Sequence, residues 1–472
     1  MTMGVGIGRR IRRAFRAGAP VRAGGSVVDG GFLVGLLRDG GGRLDLADAR
    51  ISGDVDLTGV RIEMPVRIRG CVFDGRLRLD HADLVSVNLD GCTLDGLEGD
   101  GVRIAGDLGV RDARVGGDVW LLPARIGGTV ELDRSTVGGT VYLQRAEVGG
   151  GVHLRDARVG AGLRLAGARI GVNLDLSRAT VGVDPRTGTA ITGGGLVVGG
   201  AIFGHDLVAE GAIHLVGAQV TGAVTFQNTM LYGRDDGHSL LLIEAQARLL
   251  TLRPAAASTG VISLRDAKVG RLVDDPVNWP AGCRIELDGL TYERLSRRSE
   301  DTTGWTVRQR LTWMARHVTG SAPGPYDQLA AALSRDGREQ EARRVRVVRE
   351  RRRHRAMGWA GALWGAVQDA GIGFGYRPGR ALLWLLLVVA AGTGWFARSG
   401  PLRAVKADEA PTWDPFLYSL DMLVPLLDLG HDRAFDPAGV DKAVALTLMA
   451  AGWILATTVV AGAGRTLGRG GQ

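Results

Sequence analysis

An eleven-residue register constrains this chain more than any other feature. From Val115 the text reads VGGDVWLLPAR, then IGGTVELDRST, then VGGTVYLQRAE. Val115, Ile126, Val137, Val148, Val159, Ile170 and Val181 are eleven apart, and a glycine follows each one, from Gly116 to Gly182. A second apolar column runs Val119, Val130, Val141, Val152, Leu163, Leu174, and a third runs from Leu121 to Leu176. The fourth column is small: Ala113, Ala124, Ser135, Ala146, Ala157, Ala168, Ala179. A fixed period of this kind marks a repeat architecture.

An eleven-residue apolar period also suits a right-handed supercoil of helices. Composition rejects that here: each repeat carries glycine, and each interior glycine costs a helix about 1 kcal/mol relative to alanine. The apolar positions are mostly Val and Ile, which favour strands. Val and Leu two apart point the same way from a strand, as do Ala and the following Val. The steps between these pairs must be corners, where glycine takes positive φ without penalty. Each repeat then supplies two short faces, and two repeats close a coil of four faces and about 22 residues, a β-solenoid.

The columns extend backwards through Leu44, Val55, Val66, Leu77, Val87, Leu97 and Leu108, with ten-residue steps near Val87 and Leu97. Forwards, residues 183–195 (VDPRTGTAITGGG) read as a loop bulging from one corner. The pattern resumes at Ile202, Ile213 and Val224, again at Ile262, Leu264, Ala267 and Val269, and finishes near Ile285, Leu287, Leu290 and Tyr292. At ~4.8 Å between stacked strands, roughly eleven coils make a rod about 50 Å long.

Of 472 residues, the solenoid takes 44–295, which carry 26 Lys+Arg against 32 Asp+Glu, a balance of −6. The first 43 residues contribute +6 and residues 296–472 contribute +8, so the basic character belongs to the flanks. Three cysteines (Cys71, Cys92, Cys283) form no paired framework, and the first two fall in the small-residue column as buried apolar residues. Residues 1–43 form a basic arm and cap. Arg9, Arg10, Arg12, Arg13 and Arg16 suit either a disordered arm, the favoured reading, or contact with anionic lipid. Residues 27–37 (VVDGGFLVGLL) are apolar enough to cover the first coil.

Residues 296–358 are a helical linker: an amphipathic helix at 305–318, then a hairpin over 325–355 turning at Gly337, with one tetratricopeptide-like unit marked by Leu329, Ala330 and Ala342. Arg343, Arg344, Arg346, Arg349, Arg351, Arg352, Arg353 and Arg355 crowd this hairpin. They read as a juxtamembrane anchor for anionic headgroups rather than a nucleic-acid surface. Residues 359–472 are the membrane domain. Stretches 381–397 and 443–464 hold no charge and are long enough to span a bilayer, and Trp384, Trp395, Phe396 and Trp453 add aromatic content. The connecting segment 398–442 has five Lys/Arg and eight Asp/Glu. The positive-inside rule then puts both termini and the rod in the cytoplasm. Within that segment 415–430 is apolar but too short to cross, and holds Asp421, Pro425 and Asp428 as candidate functional residues. An amphipathic helix with its aspartates facing water is the favoured reading; a pore-lining half-helix is the other.

Segments 282–295 (GCRIELDGLTYERL), 325–330 (PYDQLA), 338–345 (REQEARRV), 374–384 (FGYRPGRALLW), 418–430 (YSLDMLVPLLDLG) and 451–456 (AGWILA) together resemble a family of actinobacterial membrane proteins with a pentapeptide-like solenoid, labelled membrane-associated oxidoreductases. The resemblance covers nearly the whole chain. It implies a right-handed quadrilateral β-solenoid and membrane attachment, and it carries over no catalytic residue.

Chemistry-bearing motifs are sparse. The chain has no strand–GxGxxG–helix unit, no Cys-x-x-Cys and no histidine pair at metal-ligand spacing. No cofactor is therefore expected. Asp112 and Asp156 share one column and Asp133 a neighbouring one, but Arg111, Arg134, Arg155 and Arg178 interleave with them, as cross-coil ion pairs on a solvated surface do. DNA mimicry would need a far more acidic face. The expected class is thus a mainly β protein, a quadrilateral solenoid followed by a helical hairpin and two transmembrane helices. The expected function is a membrane-anchored cytoplasmic scaffold for a protein partner, acting singly or as a homo-oligomer. A two-span channel is the alternative, and an oxidoreductase the third.

Overall fold

The eleven-residue columns become the inner faces of a β-solenoid. A computed structural model of the chain describes residues 5–233, 237–296, 305–320, 323–356, 378–406, 411–424 and 429–467, side chains at 5, 354–356, 378–383 and 455–467 excepted. Val119 stacks on Val141 and Val141 on Leu163. Ile126 stacks on Val148 and Val148 on Ile170. Each partner lies two repeats further along, so two repeats make one coil, and these pairings are all parallel. Each coil has four faces, named here by their inward residues: the first by Val130, the second by Val137, the third by Val141 and the fourth by Val148. On the first face eleven successive pairings carry the chain from Leu44 to Leu295, one coil beyond the length expected.

Inward side chains such as Val119, Leu121, Val130, Leu132, Leu154 and Leu163 are fully buried. Each contributes about 1.5–3 kcal/mol by leaving water. Because every coil offers the same interior, the ladder extends without redesign.

The glycine column has a different cause from the one expected. None of Gly127, Gly138, Gly149, Gly160, Gly171 and Gly182 has a positive φ. A Cβ on any of them would fall within 3.0 Å of the carbonyl oxygen one coil below: Ala105, Gly116, Gly127, Gly138, Gly149 and Gly160 in turn. Close stacking, not a left-handed turn, demands glycine there. The left-handed corners are taken instead by Asp112, Arg134, Arg145, Asp156 and Arg178, with φ between 55° and 58°.

The loop at 183–195 is also smaller than expected. Thr189–Thr192 is a strand of the third face, with Ile191 stacked between Leu163 and Ile213. The chain takes a longer path from Leu163 to Ile191 than from Val141 to Leu163, and the inserted length lies in 183–188. The insertion shifts Ile191 out of the eleven-residue register, which hides it in the sequence.

Both ends of the solenoid are covered. The arm expected to be disordered is a helix, Val5–Ala17, whose stripe Ile7, Ile11 and Phe15 is buried while Arg9, Arg10, Arg12, Arg13 and Arg16 stay exposed. That stripe at i, i+4, i+8 is already spent on the protein. The expected cap is present as helix Gly30–Asp39, started by the Asp29 side chain accepting from Phe32 N at 2.8 Å and burying Leu33, Leu36 and Leu37. At the other end helix Val307–His317, opened by a Thr306/Gln309 capping box, seats Arg310, Trp313 and Met314 in the interior. Arg310 pairs with Asp274 at 2.5 Å with both side chains at most 3 % exposed, and its guanidinium lies 4.3 Å from the Trp313 ring centre.

Contacts divide the chain into Met1–Gln328 and Leu329–Gln472. Helices Gly324–Arg335 and Glu339–Ala356 turn at Gly337, φ +74°, as expected. Helices Pro378–Ser399 and Val440–Leu467 cover the two stretches expected to span, and Pro415–Leu423 lies between them. Phe396, Tyr418, Met422, Phe435, Ala445 and Leu448 form their common core. Trp395 Nε1 and Ser399 Oγ donate to Asp441 at 2.9 and 2.8 Å. A Cβ at Gly452 would collide with the Leu423 carbonyl, so these helices cross at close range. Among the described residues no helix is long and apolar enough to cross a membrane.

Candidate functional site

Stacking decides which charges remain available. Arg134 meets Asp112 and Arg178 meets Asp156, each at 2.7 Å through two hydrogen bonds. Arg155 meets Asp133 at 2.6 Å, and Arg111 bridges Asp90 at 2.9 Å and Glu131 at 3.3 Å. The hydrogen bonds from Arg134 and Arg178 hold Asp112 and Asp156 below the usual carboxylate range. The expected cross-coil pairing of these residues is what the fold contains. Other carboxylates bind the backbone of the next coil: Asp107 accepts from Thr129 N and Asp118 from Thr140 N, at 2.8 and 2.6 Å. Among the described residues no group of three or more His, Cys, Asp or Glu could hold a metal ion. Cys71 and Cys92 are buried, as their column predicts, Cys283 is buried too, none of the three is in a disulfide, and burial pushes the Cys283 thiol up to about 11.

The fourth face departs from this pattern. An open groove of about 670 Å³ runs along it from Asp83 to Gly199. One flank carries the outward column Arg103, Arg125, Glu147 and Arg169; the other is a ledge of Ala105, Gly127, Gly149, Gly171 and Gly199. Arg125 and Glu147 pair at 3.3 Å with both side chains more than half exposed. Among the described residues the side chains of Arg103 and Arg169 have no ion pair or hydrogen-bond partner. Sequence reasoning missed this groove. The available signal was the repeated Ala-Arg-Val/Ile-Gly at 113–116, 124–127, 157–160 and 168–171. Alternate copies fall on opposite faces once the coil length is known.

The third face carries a stacked pair, Trp120 on Tyr142, with ring centres 3.9 Å apart. One coil on, the buried Arg164 fastens the 183–188 insertion, donating to Asp184 at 2.5 Å and to Thr187, Thr189 and Thr192. The Arg186 backbone N–H, with Arg164 after it, holds the Asp184 carboxyl below its ordinary range.

In the C-terminal unit Asp421 does not face water. It is 6 % exposed, and its carboxylate accepts from Leu429 N, His431 N and Asp432 N at 2.8, 2.8 and 3.0 Å. A carboxylate so occupied fastens the returning chain at the start of helix His431–Ala434. Pro425 and Asp428 lie outside the described residues, as does the Arg355 side chain. The basic run is partly engaged within its own hairpin: Arg346 pairs with Glu339 at 2.7 Å, Arg343 with Glu339 at 3.8 Å, and Arg349 and Arg353 flank Glu350 at 3.7 and 3.9 Å. Ser334, and then Arg346, hold Glu339 below its ordinary range. Arg343, Arg344, Arg351 and Arg353 are exposed and Arg352 is half-buried.

The geometry is that of a β-solenoid compatible with a pentapeptide-like repeat. Comparison with protein-family models, with curated proteins and with solved structures found no match.

Proposed function

We propose that this protein is a recognition scaffold, a β-solenoid held at a membrane by its C-terminal helices. The observation that carries the scaffold reading is the division of charge on the solenoid. Its clustered carboxylates are spent on coil-to-coil bonds, while its fourth face opens as a long groove over six coils rather than an enclosed cleft. A surface of that form suits contact with a macromolecule.

Attachment is supported by what helices Pro378–Ser399 and Val440–Leu467 leave uncovered. Trp384, Leu386, Leu387, Leu446, Trp453 and Ile454 are each more than two-fifths exposed. Large apolar side chains left this exposed on two packed helices suit an interaction or membrane site. Burying those side chains among acyl chains, with the exposed arginines of 343–353 toward anionic headgroups, accounts for both features. On this reading the C-terminal helices embed in the bilayer and both termini lie in the cytoplasm.

Photo-crosslinking residues placed on each of the four faces of the full-length chain, in native membranes, test the scaffold. A protein adduct specific to one face is expected, and the absence of adducts from every face refutes it. Carbonate washing tests attachment, since the chain should stay with the membrane until detergent is added. Recovery in the soluble fraction without detergent refutes it.

A further inference from the structure

Resting on the scaffold reading, we infer that the groove on the fourth face docks an extended acidic peptide segment, with carboxylates seated on Arg103 and Arg169. The charge pattern points to an anionic partner. Arginines at the neighbouring corners (Arg111, Arg134, Arg155, Arg178) are matched to carboxylates, whereas Arg103 and Arg169 stand exposed at the groove without one among the described residues. Arg125, between them, is matched to Glu147. A guanidinium is built to take a carboxylate through two parallel hydrogen bonds.

Spacing narrows the partner further. Arg103 pairs in register with Arg125, Arg125 with Glu147 and Glu147 with Arg169, so three coil steps separate the two free arginines. At ~4.8 Å per step that is about 14 Å. An extended chain rises ~3.4 Å per residue and presents every second side chain to the same side. Carboxylates four residues apart then stand about 14 Å apart on one side, matching the arginines. The residue midway meets the Arg125–Glu147 pair and needs no charge. The ledge at Gly127, Gly149 and Gly171 has no side chains to hold the peptide backbone away from the groove floor.

A nucleic acid fits less well. Its phosphates would meet Asp83 and Glu147 in the same column, on a solenoid whose 44–295 segment carries 26 basic and 32 acidic residues. A peptide with two spaced carboxylates places charge only at Arg103 and Arg169, one coil step from Asp83 and Glu147 rather than on them.

The test uses full-length protein in detergent and fluorescence anisotropy with three labelled probes. These are a short peptide with glutamates four apart, the same peptide with glutamines, and a single-stranded oligonucleotide. Tight binding of the glutamate peptide alone is expected. The R103A/R169A double variant should weaken it at least about tenfold, the scale of two lost charge-assisted contacts at an exposed site. R114A/R158A removes two exposed arginines of the second face and should leave binding unchanged, with circular dichroism confirming that both variants fold. Equal loss in the two variants, equal binding of the glutamine peptide, or preference for the oligonucleotide overturns the docking proposal. If face-specific crosslinks persist in any of those cases, the scaffold stands and only this partner class fails.

Discussion

Replacing Gly160 by alanine isolates the force that shapes the solenoid. Gly160 has no positive φ, so alanine meets no backbone strain there. Its Cβ would lie within 3.0 Å of the Gly138 carbonyl oxygen, a backbone atom that cannot swing aside. Relief requires the two coils to part at that corner. The bonds at risk are Gly160 N to Val137 O at 2.8 Å and Ala161 N to Gly139 O at 3.0 Å. Two weakened backbone bonds at about 1 kcal/mol each, added to an overpacking cost of about 1–3 kcal/mol, give roughly 3–5 kcal/mol. Gly195 is the control: its φ is +65° and open space surrounds it, so alanine there pays only the left-handed penalty of about 1–2 kcal/mol. Chemical denaturation gives the two costs, and hydrogen exchange locates the damage. Exchange should rise in the coils around Gly160 and much less elsewhere, because repeats communicate through neighbours. If Gly160→Ala costs no more than Gly195→Ala, close stacking is not why glycine occupies the column.

Three further outcomes follow from the same structure. Arg310→Met strands the buried Asp274 carboxylate beneath the C-terminal cap, so stability should fall by about 3–5 kcal/mol with a shift in tryptophan emission from Trp279 and Trp313. Asp421→Ala leaves three backbone N–H groups without their acceptor and should destabilise the C-terminal unit by about 2–4 kcal/mol in detergent, read by thermal unfolding. Acid should loosen the solenoid through Asp112 and Asp156: their folded-state pKa values are lowered, so the stabilisation is whole above about pH 4 and is lost as pH falls below it. The Asp112→Asn/Asp156→Asn variant should flatten the acid limb of the melting curve, and an unchanged limb contradicts the assignment.

The sequence and the fold agree where the same environment recurs. Columns such as Val119, Val141 and Leu163 are legible because every coil asks for the same inward residue, and their stacking at every second repeat is readable from the text. Single events are harder to read. The 183–188 insertion breaks the register, so the strand containing Ile191 reads as loop. The N-terminal stripe Ile7, Ile11 and Phe15 is visible, but five arginines around it suggest solvent or lipid rather than burial. The role of Asp421 cannot be read locally, because its carboxylate is satisfied by backbone that returns from Leu429 to Asp432. The groove exists only after coils are stacked. It depends on which arginines find a carboxylate on the adjacent coil, and that comparison needs the coil length first.

Coil length itself is open to direct measurement by cysteine cross-linking. Arg125 and Glu147 are register partners on adjacent coils of the fourth face, whereas Thr136 lies one repeat from each, on the second face. Adjacent strands at ~4.8 Å put paired cysteines within disulfide reach. Under mild oxidation R125C/E147C should cross-link rapidly in the folded protein, and R125C/T136C should stay reduced. Rapid closure of the single-repeat pair, with none across the two-repeat pair, would contradict the four-faced coil on which the groove and its proposed partner depend.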